Sequence, residues 1–319
     1  MSCKVFIDGR HGTTGLEIDA RLSGRAGIEI LSIPEAELRD PAARAIRLNE
    51  ADIVFLCLPD AAARESAALI RPDNARTRVL DPSTAHRTHP DWVYGLPELD
   101  GGQRERIKEA RRVTVPGCHA SGFILLTRPL VAAGLLPTDY PVSASSITGY
   151  SGGGMDMIAT YETSNPLPDT MQSPRVYALG LTHKHLPEMQ KVTGLAEPPL
   201  FTPIVGNFKQ GMTVMVPLFP RLLPKRLLPA DIEAFYREYY AGETFIKVMS
   251  ADSLEASDSG FLPATACNGT NRVEIFVFGN KEQILLAARF DNLGKGASGA
   301  AIQCMNIMLG VDETTGLAA

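Results

Sequence analysis

Residues Ile53-Val54-Phe55-Leu56-Cys57-Leu58 form a run of strand length without one charged or hydroxyl side chain. A strand wet on one face alternates polar with apolar residues, so an unbroken apolar run has to be covered on both faces. Its surroundings agree. Residues 5–8 read as a strand, 15–22 as a helix, 28–33 as a strand and 41–48 as a helix with Asp40 as its N-cap. After the apolar run comes an Ala-rich helix to residue 70, then Val79-Leu80 and a turn at Asp81-Pro82-Ser83. Strands alternating with helices in this way predict an α/β domain on a parallel sheet.

The first strand joins the first helix through Gly9-Arg10-His11-Gly12-Thr13-Thr14-Gly15, a G-x-x-G-x-x-G loop. Glycines there permit a tight turn and close approach of backbone to a pyrophosphate, which the helix N-terminus attracts. Gly9, Gly12, Thr13, Thr14 and Gly15 are therefore candidate dinucleotide contacts, although a plain βα turn has the same shape. At the end of the second strand the chain reads Leu31-Ser32-Ile33-Pro34-Glu35, so no acidic residue ends the strand itself, and Ser32 takes the ribose position. Arg10 and Arg39 are the nearest cations for a 2′-phosphate, which favours NADP over NAD.

Near the middle of the chain, the β-branched Val113-Thr114-Val115 leads through Pro116-Gly117 to Cys118-His119-Ala120-Ser121-Gly122 and a small, apolar run suited to a helix. Cys118 then falls in a first helical turn, where the positive helix end stabilises a thiolate and free N–H groups can hold an oxyanion. The other reading is a buried, inert cysteine at a domain junction. His119 adjoins it but would project elsewhere from a helical turn, and is read as structural.

His183 and His185, in Thr182-His183-Lys184-His185-Leu186-Pro187-Glu188, share a face if the segment is extended and diverge if it is helical. With a distant cysteine they supply the acid/base partner a thiolate nucleophile requires. No third ligand pattern accompanies them, so no metal site is expected. The turn Gly149-Tyr150-Ser151-Gly152-Gly153-Gly154 can bring backbone close to a substrate, which makes Ser151 and Gly152 candidates.

Beyond Cys118 the pattern changes to alternation. Met212, Val214, Val216 and Leu218 fall on one strand face, and residues 272–278 and 283–290 flank the hairpin signal Gly279-Asn280-Lys281-Glu282. A mixed or antiparallel sheet with helices on one face follows, one of them over 230–240. Finally, Asn292-Leu293-Gly294-Lys295-Gly296-Ala297-Ser298-Gly299 opens a helix through Met308, and its small residues let another backbone or a flat ring approach. Asn292 and Gly294 join the candidate cofactor contacts. The expected organisation is a dinucleotide-binding domain over 1–117, completed by a C-terminal helix within 293–319, and a catalytic, substrate and oligomerisation domain over 118–292.

Five cysteines without a C-x-x-C pair argue against a disulfide framework and suit a reducing cytoplasm. A net charge of −5 with no basic run disfavours nucleic acid and anionic membranes as partners. No apolar leader or spanning run is visible, which predicts a soluble, unexported protein.

Taken together, the Gly9–Gly15 loop, Tyr94-Gly95-Leu96-Pro97-Glu98-Leu99, Pro116-Gly117-Cys118, His183 to Glu188 and Asn292 to Ala297 resemble the N-acetyl-γ-glutamyl-phosphate reductases, in their shorter variant, across almost the whole chain. The resemblance implies a fold like that of glyceraldehyde-3-phosphate and aspartate-semialdehyde dehydrogenases. It implies NADPH-dependent reduction of an acyl phosphate, N-acetyl-L-glutamyl 5-phosphate, to its semialdehyde in arginine biosynthesis. Cys118 would be the thiol nucleophile and one of the two histidines, His185 before His183, the acid/base. Arg87 and Lys184 are the cations considered for the substrate's anionic groups, and a homo-oligomer, dimer or tetramer, is expected. Val115 and His119 depart from the family's usual Asn and Tyr. Two alternatives stand beside this reading: an aspartate-semialdehyde dehydrogenase, and an NADP-binding thiol sensor without catalysis.

Overall fold

The computed structural model describes residues 2–250 and 260–319. Its contacts divide the chain into two units, Met1–Gly117 with Ala297–Leu317, and Cys118–Gly296 with Ala318–Ala319.

The first unit holds six strands: β1 Cys3–Asp8, β2 Ile28–Leu31, β3 Ile53–Leu56, β4 Arg78–Asp81, β5 Val93–Tyr94 and β6 Arg112–Thr114. They form one parallel sheet in the order β2-β1-β3-β4-β6-β5. All four residues of β3 are fully buried, Ile53 and Phe55 in the core on one face and Val54 and Leu56 in the core on the other. Each such side chain contributes roughly 1.5–3 kcal/mol relative to an exposed one, which is why so short a strand is held firmly. The helix Pro41–Glu50 starts where Pro41 removes an unneeded N–H and the Asp40 carboxylate accepts from Ala42 N at 2.9 Å. The first helix begins at Thr13, two residues earlier than the spacing predicts.

The C-terminal helix Gly299–Leu309 also lies in this unit, packing Ala301, Met305 and Met308 with Val5, Ile7 and Phe55. Arg25, in the loop after the first helix, donates to its Asn306 Oδ1 at 2.7 Å. The residues expected to open it form instead a separate wide turn, the π-helical Gly294–Ser298.

The second unit holds β7 Ser143–Gly149, β8 Arg175–Val176, β9 Leu200–Gly206, β10 Met212–Leu218, β11 Ile246–Val248, β12 Val273–Gly279 and β13 Ile284–Phe290. They form a mixed sheet in the order β11-β12-β13-β10-β7-β9-β8. The alternation in β10 is as expected, with Met212, Val214, Val216 and Leu218 all at most 1% exposed. Gly279 sits at φ +124°, and a Cβ there would meet Gln283 O at 2.1 Å, so the hairpin requires glycine.

The 15-residue helix Cys118–Ala132 lies on β10 and β13. It approaches closely at Gly122, where a Cβ would stand 2.7 Å from Val214 Cγ2 and 2.8 Å from Phe290 Cε1. Helix Pro229–Tyr239 and the following Tyr240 brace it, with the Tyr240 hydroxyl donating to Leu125 O at 2.7 Å. Replacing Gly122 with Ala is expected to destabilise this unit by about 1–3 kcal/mol through overpacking, read as a lower urea midpoint at unchanged slope.

Candidate active site

In the first unit the glycine loop is shaped by two steric demands. Gly9 sits at φ +86°, and a Cβ there would lie 2.2 Å from Cys57 O; at Gly15 it would lie 2.5 Å from Gly9 O. Gly12 differs. Its Cβ would meet nothing closer than 3.5 Å, so the protein itself does not require glycine there. Beside it, Thr13 Oγ1 is buried without a hydrogen-bond partner among the described residues, at the start of helix Thr13–Leu22. A glycine that the protein's own packing does not require, an unanswered hydroxyl and a helix N-terminus fit a pyrophosphate. Asp8 ends β1 in a pair with Arg44 at 2.8 Å, which sequence reasoning did not foresee, and Ser32 is exposed just past β2. Arg10 pairs with Asp19 at 2.7 Å on the surface.

In the second unit, Cys118 is the first residue of its helix and is half-buried. Burial, with Asp52 nearby, pushes the Cys3 thiol up to about 11; burial, with Glu274, does the same at Cys267. Cys57 is raised further, again by burial first, and Cys304 is fully buried with its sulfur 3.3 Å from Gly95 O. Cys118 stands apart from these in lying half-buried at the start of a helix.

Three histidines gather beyond it. The His183 and His185 rings are 4.7 Å apart, and each packs on His119, at 5.3 and 5.5 Å. The pair escapes the choice between strand and helix because the chain turns between them: His185 N donates to His183 Nδ1 at 3.2 Å and helix Leu186–Thr193 starts after His185. That bond leaves the ring proton of neutral His183 on Nε2. His119, expected to project elsewhere, lies at the centre of the cluster with Ser146 Oγ 2.7 Å from Nδ1 and Tyr177 Oη 2.8 Å from Nε2. Its partners come from β7 and from just past β8, and long-range pairs of this kind have no signal in local sequence.

Asn292 and Ser151 were separate candidates and meet here. Asn292 Nδ2 donates to Ser151 Oγ at 2.9 Å, while its Oδ1 accepts from Gly211 N at 2.7 Å. Gly152 lies beside this pair, 3.6 Å from Asn292 Nδ2 when given a Cβ. Gly294 is required by packing, since a Cβ would fall 2.2 Å from Thr270 O, and at Gly296 it would fall 2.9 Å from Cys118 Cβ. Lys295 between them is fully buried with its ammonium 5.7 Å from the Phe245 ring centre, another residue sequence reasoning passed over. In the first unit, Arg87 donates to Val115 O at 3.0 Å and Pro82 O at 2.7 Å, bracing the strand end before Pro116. Lys184 is exposed. Among the described residues no three His, Cys, Asp or Glu are arranged to hold a metal ion, and no helix is long and apolar enough to cross a membrane.

Comparison with known proteins gives the family. Residues 9–110 match the family model for the semialdehyde dehydrogenase NAD-binding domain, and residues 118–292 that for the semialdehyde dehydrogenase dimerisation domain. Solved structures of similar fold include a probable aspartate-semialdehyde dehydrogenase from Pseudomonas aeruginosa, with TM-score 0.71 and 16% identity, covering 97% of this chain and 99% of that one. Another is the Candida albicans aspartate-semialdehyde dehydrogenase with NADP, at TM-score 0.62 and 15% identity over 97% and 99%. The class is therefore that of the semialdehyde dehydrogenases. An N-acetyl-γ-glutamyl-phosphate reductase from Brucella ovis is 49% identical over 97% of this chain and 100% of its own length. One from a Nostoc species is 47% identical over 98% and 99%. The chain belongs to the N-acetyl-γ-glutamyl-phosphate reductase family.

His119 carries its own prediction. Burial first, then the nearby His183 and Lys184, pushes its pKa down to about 3, so the folded ring stays neutral while an unfolded one protonates below about 6.5. The unfolded state then binds the extra proton between these values, and stability falls as pH drops through that window, by about 1.4 kcal/mol per pH unit for one such group. Urea unfolding from pH 7 to 4 should show a shallower loss for His119→Phe, and the wild-type His119 ring should show no titration between pH 5 and 8 by NMR.

Proposed function

We propose that this chain reduces N-acetyl-L-glutamyl 5-phosphate to N-acetyl-L-glutamate 5-semialdehyde and phosphate with NADPH, through a thioester on Cys118. The observation that carries the mechanism is the half-buried Cys118 at the start of a 15-residue helix, in one unit with the packed rings of His183 and His185. The substrate follows from the relatives at 47% and 49% identity over nearly full length. Likeness to aspartate-semialdehyde dehydrogenases at 15–16% identity supports a common fold only.

In this reading the Cys118 thiolate attacks the acyl carbon, the C–O bond to phosphate breaks with its electron pair, and a thioester remains. Sulfur conjugates weakly with its carbonyl, which leaves the thioester a better hydride acceptor than a carboxylate. NADPH would be held by Gly9, Gly12, Thr13, Thr14, Gly15 and Ser32, with Asn292 and Gly294 as further candidates, and would supply the hydride. A histidine, His185 before His183, gives a proton to the forming oxyanion and takes it back from the thiohemiacetal hydroxyl as the C–S bond breaks, releasing the semialdehyde and restoring the thiolate. Lys184, Ser151 and Gly152 are the candidate contacts for the substrate's charged and polar groups. Arg87, which also donates to Val115 O and Pro82 O, is a further candidate for the substrate's anionic groups. The match of residues 118–292 to a dimerisation domain supports a homo-oligomer, dimer or tetramer. Five free thiols fit a reducing compartment, so the cytoplasm is the location this reading assigns.

Three measurements test it. NADP⁺ reduction by the semialdehyde should require phosphate or arsenate, and Cys118→Ser should lower kcat by about 10⁴-fold or more while NADPH binding persists. Retained turnover in that variant would remove Cys118 from the mechanism. Gly12→Ala, which meets no protein atom closer than 3.5 Å, should keep Tm within about 2 °C yet weaken NADPH binding about tenfold.

A further inference from the structure

The first turn of helix Cys118–Ala132 carries a polar side chain that the proposed chemistry does not use. His119 is 3% exposed, and both ring nitrogens are engaged, Nδ1 with Ser146 Oγ at 2.7 Å and Nε2 with Tyr177 Oη at 2.8 Å. A neutral imidazole offers one donor and one acceptor, so these two hydroxyls are coupled through the ring. When Ser146 donates to Nδ1, the ring proton sits on Nε2 and is donated to Tyr177 Oη. The Tyr177 hydrogen is then left to point away from His119. In the opposite tautomer it turns back to the ring and is consumed there.

We propose that Tyr177 is a catalytic donor to the acyl oxygen of the substrate carried on Cys118, and that Ser146 and His119 are positioning residues that turn its hydroxyl hydrogen toward that oxygen. The inference rests on Cys118 being the nucleophile. Ser146 is fully buried on β7 and Tyr177 is half-buried just past β8, so one end of the chain is anchored in the core and the other can meet a ligand. The acidity of the Tyr177 phenol is suppressed by burial first and by the charge of Cys118 second, which keeps it protonated and puts the two groups within electrostatic reach. The His183 and Phe201 rings pack edge-on to His119 at 5.3 Å each, fixing the plane of the relay. Negative charge developing on the acyl oxygen favours the tautomer that directs the Tyr177 hydrogen outward, because a hydrogen bond to an anion is about twice as strong as a neutral one.

Tyr177→Phe should lower kcat about 100-fold, the usual effect of losing one oxyanion donor, with KM for the semialdehyde within about twofold. His119→Phe should reproduce most of that loss, and His119→Gln, which can still present an N–H to Tyr177, should recover part of it. In the double variant His119→Phe/Tyr177→Phe the loss should not exceed that of Tyr177→Phe alone. The rate of Cys118 alkylation by iodoacetamide, followed by peptide mass spectrometry, should stay within about twofold of wild type in the Tyr177 variant, showing that the thiol and its surroundings are intact. Wild-type kcat in Tyr177→Phe, or a His119→Phe loss that persists undiminished when Tyr177 is already Phe, overturns the proposal. An active Cys118→Ser enzyme would instead overturn the nucleophile reading; an inactive one beside a fully active Tyr177→Phe removes only this inference.

Discussion

Close contact at Gly122 sets the position of the reacting residues in the second unit. With no side chain there, helix Cys118–Ala132 settles onto Val214 of β10 and Phe290 of β13 at a distance no other residue permits. Its first turn is thereby fixed against the sheet, and Cys118 and His119 come with it. Gly296 closes in on the Cys118 side chain from the wide turn Gly294–Ser298, another place where a Cβ would collide. Cores at native density transmit such constraints because they have no slack to absorb them.

Around that fixed turn the chemistry is one of held protons. His183 receives a backbone N–H at Nδ1, which commits its tautomer, and His119 is kept neutral by burial and by neighbouring positive charge. The thiols of Cys3, Cys57 and Cys267 are pushed upward by burial, which disfavours thiolate at those three. In the first unit the same economy holds for the glycine loop. Gly9 and Gly15 answer to the protein's own backbone, while packing leaves room for a side chain at Gly12 and the Thr13 hydroxyl has no partner among the described residues.

Much of this was legible in the sequence, and the reason differs by element. The apolar run at residues 53–58 and the alternation in β10 announced a parallel and a mixed sheet because their periodicity reports directly which faces are covered. Strands of two residues such as Val93–Tyr94 and Arg175–Val176 have no period to read, and β9 was missed although it pairs along the whole of β7. Cys118, His183 and His185 were singled out from residue type and turn chemistry alone. The contacts of His119 with Ser146 and Tyr177 have no local signal, because those partners lie 27 and 58 residues away. Asn292 and Ser151 were chosen separately, and their hydrogen bond across 141 residues was not foreseeable. For Gly294, sequence reasoning anticipated a close approach but could not name the Thr270 carbonyl as what approaches.

The central claim is that Cys118 carries the acyl group. Its most direct test is to mix the enzyme with NADP⁺ and N-acetylglutamate semialdehyde without phosphate, follow the burst of NADPH, and map the trapped protein by peptide mass spectrometry. The account predicts a burst of one NADPH per active site with the acyl group on the Cys118 peptide. A burst whose adduct lies on another residue, or steady turnover that never passes through an adduct, would contradict it.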